Sequence, residues 1–324
     1  MSIRSKSVLA GLAAAALITA GCATTSADGG GSDGGDADFP TQPITMVVAW
    51  DAGGGTDIIA RAFAQSAEDH LGQPIKVVNK PGGSGAVGWG EIAHSTEPDG
   101  YTVSIVSGEI GYLRETEGLY DFGAEHFDLI TMINQDSPAL AVSADAPWDT
   151  LEEFLADAKK RKLTVGTSGP GLVWDMAARD LANQSDVTFT HVPYDGAAGA
   201  VQAVLGNATD AMTFSVGEVA AQVKAGEMKL LAVGLPERDP KFPDVPTFTE
   251  LGYDIVSGFR GVAGPAGMDE SVIETLNEAF LEMTEDSRYT DVMDENSLGI
   301  RALGTEEFQE YFDETTKAYR DLAG

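Results

Sequence analysis

The sequence is short of what builds a disulfide framework or a soft metal site. One cysteine, Cys22, stands among 324 residues, which excludes internal disulfides and Cys-rich zinc sites. Four scattered histidines offer no His-built metal site. Positive charge is scarce too: 20 Lys and Arg face 51 Asp and Glu, for a formal net charge of −31. A chain this acidic lacks the basic footprint of a nucleic-acid or anionic-membrane binder. No apolar run reaches the roughly 20 residues that span a bilayer. What is there is ordinary for a globular protein. Hydrophobic residues make up 43%, too many for a disordered chain, and the length suits about two domains.

Residues 1–21 read as a secretory leader, with Arg4 and Lys6 ahead of an apolar stretch from Val8 to Ala20. The stretch ends Ile18-Thr19-Ala20-Gly21-Cys22, which resembles a bacterial lipobox with cleavage before Cys22 and lipid on its sulfur. Thr19 stands where leucine is usual, and the alternative is an ordinary signal peptide with an incidental cysteine. Residues 22–39 then form the lipidated cysteine and a flexible tether. Ala23 to Asp38 holds no large apolar side chain and cannot offset its own ordering entropy. The body is expected outside the cytoplasm, touching the membrane only through the anchor.

From Pro43 onward, strand and helix patterns alternate. Ile44–Trp50 is a near-continuous apolar strand of the kind buried on both faces of a parallel sheet. Ile58, Ile59, Ala62, Phe63, Ala67 and Leu71 recur at helical spacing, and Gly72 closes that helix. Ile75–Asn79 and Tyr101–Ser107 are further strands, with a short helix between them. Thr150-Leu151-Glu152-Glu153 is a capping box, and a second strand–helix series follows it. The tail predicts two long helices, about Asp269–Tyr289 and Thr305–Leu322, with no strand between. The fold class is α/β. Two α/β lobes are expected, residues 40–140 plus 255–324 and residues 141–254, with the tail packed on the first.

Four glycine-rich turns follow strands, where open α/β sheets bind ligands through helix N-termini. The first is Trp50-Asp51-Ala52-Gly53-Gly54-Gly55-Thr56-Asp57; Thr56 or Asp57 is the expected N-cap, and Asp57 with Arg61 an expected surface ion pair. The second runs from Asn79 to Gly88 and contains Gly83-x-Gly85-x-x-Gly88, with Glu109 further on. That is a dinucleotide fingerprint on paper, but a proline interrupts the turn and the helix behind it is short. The third is Gly166-Thr167-Ser168-Gly169-Pro170-Gly171. Ser168 is not in a nucleophile elbow, because Pro170 occupies the final glycine position, so it reads as a donor to an anion. The fourth is Val192-Pro193-Tyr194-Asp195-Gly196-Ala197, where Tyr194 either bonds a ligand or stacks in the core.

These segments carry a resemblance. PITMVVAWDAGGGTDIIAR, LGQPIKVVNKPGGSGAVG, PDGYTV, GTSGPG, HVPYDGAAGA and FRGVAGPAG, in this order from about Pro43, are similar to the receptors of tripartite tricarboxylate transporters, the Bug receptors. The resemblance implies a type II periplasmic binding protein whose two lobes close on a small carboxylate. It implies ligand contacts from Trp50, Asp51, Ala52, Gly53, Gly54, Thr56 and Asp57, with Asn79, Ser84 and Ser107 nearby. From the second lobe it implies Thr167, Ser168, Gly169 and Gly171, with Tyr194 and Gly196. It implies no catalysis, no cofactor and no metal, a monomer, and delivery of ligand to large and small integral-membrane transporter subunits. Presentation of ligand to a sensor kinase is the alternative, ahead of an exported hydrolase or a nicotinamide-dependent oxidoreductase. Two departures bear on the ligand. Asp51 stands where Pro or Ala is common, and Asp175 where His is common. Carboxylates beside an anion site favour a ligand that also carries a cationic group or hydroxyls, or a metal–citrate complex; the alternative is that both aspartates face solvent or cap a helix.

Overall fold

The computed structural model describes residues 39–194, 196–235 and 237–323; the leader, Cys22, the tether to residue 38 and Asp195 lie outside the described residues. β1 (Ile44–Val48) is an almost wholly apolar run, and it sits in the interior of a sheet. It pairs in parallel with β2 (Ile75–Asn79) and β3 (Thr102–Val106). α1 (Gly55–Ala64) and α2 (Ala67–Leu71) connect β1 to β2, and α3 (Ala86–Ser95) connects β2 to β3. The apolar spacing predicts one helix from Ile58 to Leu71, and the structure breaks it at Gln65 and Ser66. Ser66 Oγ donates to the Phe63 carbonyl at 3.2 Å, diverting an acceptor that a continuous helix needs.

After α4 (Leu113–Thr116), β4 (Phe127–Asp136) joins the same sheet. One residue later the chain enters a second sheet as β5 (Pro138–Ser143). There follow α5 (Leu151–Ala158), β6 (Leu163–Thr167), α6 (Val173–Ser185), β7 (Phe189–Pro193), α7 (Ala197–Leu205), β8 (Ala211–Ser215), α8 (Val216–Lys224) and β9 (Met228–Val233). Thr150 opens α5 as the capping motif predicts, its hydroxyl accepting the Glu153 N–H at 3.2 Å. The chain returns through β10 (Gly258–Pro265), antiparallel to β3 and β4. α9 (Glu270–Glu285), α10 (Ser287–Glu295), β11 (Ile300–Leu303) and α11 (Thr305–Ala323) complete it.

The first sheet has the order β11-β4-β10-β3-β1-β2 and the second β7-β6-β8-β5-β9. Both are mixed sheets, with a parallel unit at one end of each. The tail corrects the sequence reading twice. Asp286 breaks the expected first helix, its carboxylate accepting the Arg288 N–H at 2.9 Å as the cap of α10. β11 is a strand where none was expected, a short edge pairing with β4.

Strand alternation splits each sheet between two cores. Met46 and Val48 face one side with α1, α2, α9 and α10, whereas Val47 faces the other with α3 and α11. In the second sheet Leu140 and Val142 pack with α5 and α6, and Ala139 and Ala141 with α7 and α8. One element breaks this division. Leu172 and Met176, at the start of α6, are buried with Tyr112, Leu113 and Phe312 of the first half.

Candidate functional site

The first loop is built around Asp57. The chain leaves β1, and Gly53 takes a left-handed turn at φ 86°. Its N–H donates to Asp57 Oδ2 at 2.8 Å. Arg61 Nε donates to the same oxygen at 2.9 Å, and Asn79 Nδ2 donates to Oδ1 at 2.9 Å and to the Trp50 carbonyl at 3.1 Å. The N-cap of α1 is Gly54, not Thr56 or Asp57, and no side chain caps it. The first-turn N–H groups thus keep the orphan character of a helix start. Asp57 is buried beneath the loop while the Arg61 side chain is half exposed, so the ion pair expected from their spacing runs from the loop's interior out to the surface.

The second loop leaves β6 and turns through Gly169 and Gly171, at φ 113° and 73°. Asp175 lies beneath it, 1% exposed. It accepts the Gly171 N–H at 2.9 Å and the Thr167 hydroxyl at 3.3 Å, and pairs with Arg179 Nε at 2.8 Å and His191 Nδ1 at 2.6 Å. Tyr112 of the first half donates its hydroxyl to the Gly171 carbonyl at 2.8 Å. Glu109, also of the first half, accepts the Val173 N–H at the start of α6 at 3.2 Å.

Burial alone would push both aspartates up. At Asp57 this is outweighed by Arg61, the Gly53 N–H and Asn79, and at Asp175 by His191, the Gly171 N–H and Arg179. Both carboxyls end below the ordinary 3.8. A carboxyl depressed in the folded state stabilises fully above its unfolded value, and that stabilisation is lost as pH falls through its folded value. Thermal unfolding measured from pH 7 downward should therefore hold until about pH 4 and then decline. Asp175→Asn should decline less steeply; an identical decline in the variant contradicts this assignment.

A cavity of about 370 Å³ opens beside the loops, lined by Trp50, Asp51, Pro81, Gly82, Gly83, Ser84 and Ser168. Six of these come from the first half, and Ser168 comes from the second. Trp50 is held edge-on against Trp89, ring centroids 5.7 Å apart. Ser168 Oγ is buried without a hydrogen-bond partner among the described residues. Such an orphan is costly unless something else bonds it. Among the described residues, no lysine or arginine lines the cavity, and the charged group on its lining is exposed Asp51.

Of the residues expected to meet a ligand, Trp50, Asp51, Ser84 and Ser168 are brought together here. Ala52, Gly53 and Gly54 form the exposed remainder of the first loop. Thr56, Asp57, Asn79, Thr167 and Asp175 turn their side chains to internal partners. Asp175 does not line the cavity; of the two readings open for it, the structure places it at the start of α6 with internal partners and not facing the cavity. Ser107, Gly169, Gly171 and Gly196 also lie off the lining, as does Tyr194, whose hydroxyl pairs with Thr209 Oγ1 at 2.9 Å.

Pro81, Gly82 and Gly83 line the cavity although their segment reads as a possible nucleotide fingerprint. β2 is the outer strand of its sheet, and Gly82, Gly83 and Ser84 all have positive φ, at 130°, 59° and 56°. That is a sharp turn, braced by the Tyr120 hydroxyl donating to the Ser84 carbonyl at 2.6 Å. Glu109 is engaged with α6 and does not serve as the fingerprint's acid.

Arg260 is the residue that the sequence reading overlooked. It lies on β10, 8% exposed, opposite Asn134 of β4. It donates to Thr56 Oγ1 at 2.7 Å and Asn134 Oδ1 at 2.9 Å, and forms an ion pair with Asp136. Glu218 of the second half stands next to it, at the start of α8. Burial pushes the Glu218 carboxyl up, and Arg260 opposes that rise. The signal in the sequence was an arginine inside an otherwise apolar and glycine-rich run.

Comparison with known proteins adds an independent line. A sequence profile described as "Tripartite tricarboxylate transporter family receptor" matches residues 59–322. The UPF0065 protein in the gbd 5' region of Cupriavidus necator is 33% identical over 286 residues, 86% of each chain. A TctC solute-binding protein from Polaromonas is 36% identical in its solved structure, with a TM-score of 0.70 over 88% of this chain and 98% of its own. MatC from Rhodopseudomonas palustris, solved with bound malate, is 25% identical with a TM-score of 0.79, covering 88% and 100%.

Proposed function

This chain belongs to the tripartite tricarboxylate transporter receptor family, and we propose that it captures a small carboxylate in the cavity beside Ser168 and hands it to a membrane transporter. The family is one of extracytoplasmic solute receptors and not of enzymes. The observation that carries the proposal is the cavity itself. It takes residues from both halves and contains a buried serine hydroxyl that has no partner among the described residues. A carboxylate supplies the missing acceptor, and the glycine turn through Gly82, Gly83 and Ser84 brings backbone close to it. Binding favours the arrangement in which both halves touch the ligand.

A thermal-shift panel of L-malate, citrate, amino acids and NAD(H) tests the reading. A ligand present at about 100 times its Kd adds roughly 2.7 kcal/mol to folded-state stability, so one or more acids should raise Tm by several degrees. Stabilisation by NAD alone would reverse the assignment.

Asp51 narrows the ligand. It is the one charge on the cavity lining among the described residues, and it is negative. Because it is exposed, water and salt screen it, and its repulsion of a second carboxylate is modest. The ligand that suits it has a carboxylate for the loops and a hydroxyl or ammonium for Asp51. Asp51→Asn should tighten citrate a few-fold and weaken an amino acid. Tight citrate binding by the unmodified protein with no amino-acid heat in calorimetry ends the ammonium form of the idea.

Lipid attachment at Cys22 is the second part of the proposal, supported by the lipobox-like residues before it. Cys22→Ser should move the protein from the membrane fraction to the soluble one, and unchanged fractionation would contradict it.

A further inference from the structure

The two loops are braced by the same three residues at the same spacing. Gly53, Asp57 and Arg61 stand four apart in the first half, and Gly171, Asp175 and Arg179 four apart in the second. Both glycines are left-handed, at φ 86° and 73°. Their N–H groups donate to the aspartate Oδ2 at 2.8 and 2.9 Å. In both halves the arginine Nε reaches that same oxygen, at 2.9 and 2.8 Å. In both, a residue of the neighbouring parallel strand reaches Oδ1: Asn79 at 2.9 Å and His191 at 2.6 Å. Each aspartate is the third residue of its helix.

The chemistry of the arrangement is specific. A carboxylate at a helix start is favoured by the helix dipole, and by itself it would compete with an incoming anion for that same field. The arginine one turn on cancels its charge. What remains is a neutral brace that takes up one loop N–H and fixes the turn. Neither aspartate lines the cavity. We infer that Asp57 and Asp175 are matched positioning residues, one in each half, which set the two glycine turns for a bound carboxylate through the N–H groups of Gly53 and Gly171. This rests on the receptor reading for its ligand, but the brace itself does not.

The test uses the alanine and asparagine variants at both positions. Asparagine keeps an oxygen that can accept the glycine N–H, and alanine removes it. Two readouts at 25 °C are taken: calorimetric Kd for L-malate, and the amide proton resonances of Gly53 and Gly171. Asp57→Ala and Asp175→Ala should each weaken malate about tenfold. The double variant should multiply the losses, and Asp57→Asn and Asp175→Asn should recover most of the affinity. Each alanine variant should also move the amide proton of its own glycine upfield. A merely structural role lowers Tm while leaving Kd and the glycine amides in place, and that result overturns the inference. If the unmodified protein binds no malate, malate fails as the ligand of the receptor reading. The amide shifts then decide the brace, and amides that stay put in both alanine variants refute it.

Discussion

Arg260→Met is expected to cost about 3–5 kcal/mol of stability. The reason is the company that Arg260 keeps. Asp136 is 2% exposed and Asn134 fully buried, and both depend on the guanidinium. Removing it strands a carboxylate in a medium that cannot solvate it. The damage falls on β4 and β10, the strand pair through which the chain passes between its halves, and on Thr56 in the first turn of α1. Arg260→Met with Asp136→Leu should recover part of the loss, since a buried pair can often be replaced by apolar groups at little cost. Chemical denaturation measures both. A single variant within about 1 kcal/mol of the unmodified protein would mean that the cluster is far better hydrated than its burial implies.

Gly171→Val should abolish ligand binding, with at least a hundredfold loss of affinity, and lower Tm as well. The glycine sits at φ 73°, a region closed to a β-branched residue. A Cβ there would meet Leu113 Cδ2 at 2.8 Å and Glu117 Cγ at 2.6 Å. Glu117 can swing away, but Leu113 is fully buried and cannot. The turn must therefore shift, taking Ser168 with it and breaking both the Tyr112 hydrogen bond to the Gly171 carbonyl and the Gly171 N–H bond to Asp175. Gly196→Ala is the matched control. Its φ is the extended 172°, and a Cβ there meets nothing within 4 Å. Calorimetry on the pair separates loop geometry from a general sensitivity of glycine sites; equal affinity in both variants would count against the role given to the second loop.

The legible parts of this fold were those where composition and environment agree. β1 is apolar because both its faces are covered, and the capping residues of α5 announce its start. β10 was opaque for the opposite reason. GFRGVAGP holds three glycines, an arginine and a proline, yet every residue of it is buried. Its burial comes from neighbours that occupy the space its missing side chains leave. A Cβ on Gly261 would lie 2.3 Å from Phe308. Periodicity cannot report a strand whose packing surface belongs to other elements. β11 was missed because an exposed edge carries no burial pattern, and Arg301 instead lies over the Tyr311 ring at 4.4 Å.

In the candidate site, sequence located the loops but could not say which way their side chains turn. Asp51 and Asp175 look alike as carboxylates near glycines. One lies at the cavity, and the other is enclosed by Arg179 and His191. The difference depends on His191 standing beside β6, which is a matter of strand register over long range. The same holds for Arg260, whose partners lie more than a hundred residues away along the chain.

The proposed function stands on the binding of one small acid at Ser168, between residues of both halves. Calorimetry of the unmodified protein and of Ser168→Trp, using whichever acid the thermal panel selects, tests it most directly. One-to-one binding is expected in the former and none in the latter, with the fold of the variant retained by circular dichroism. Equal binding in both proteins would contradict it.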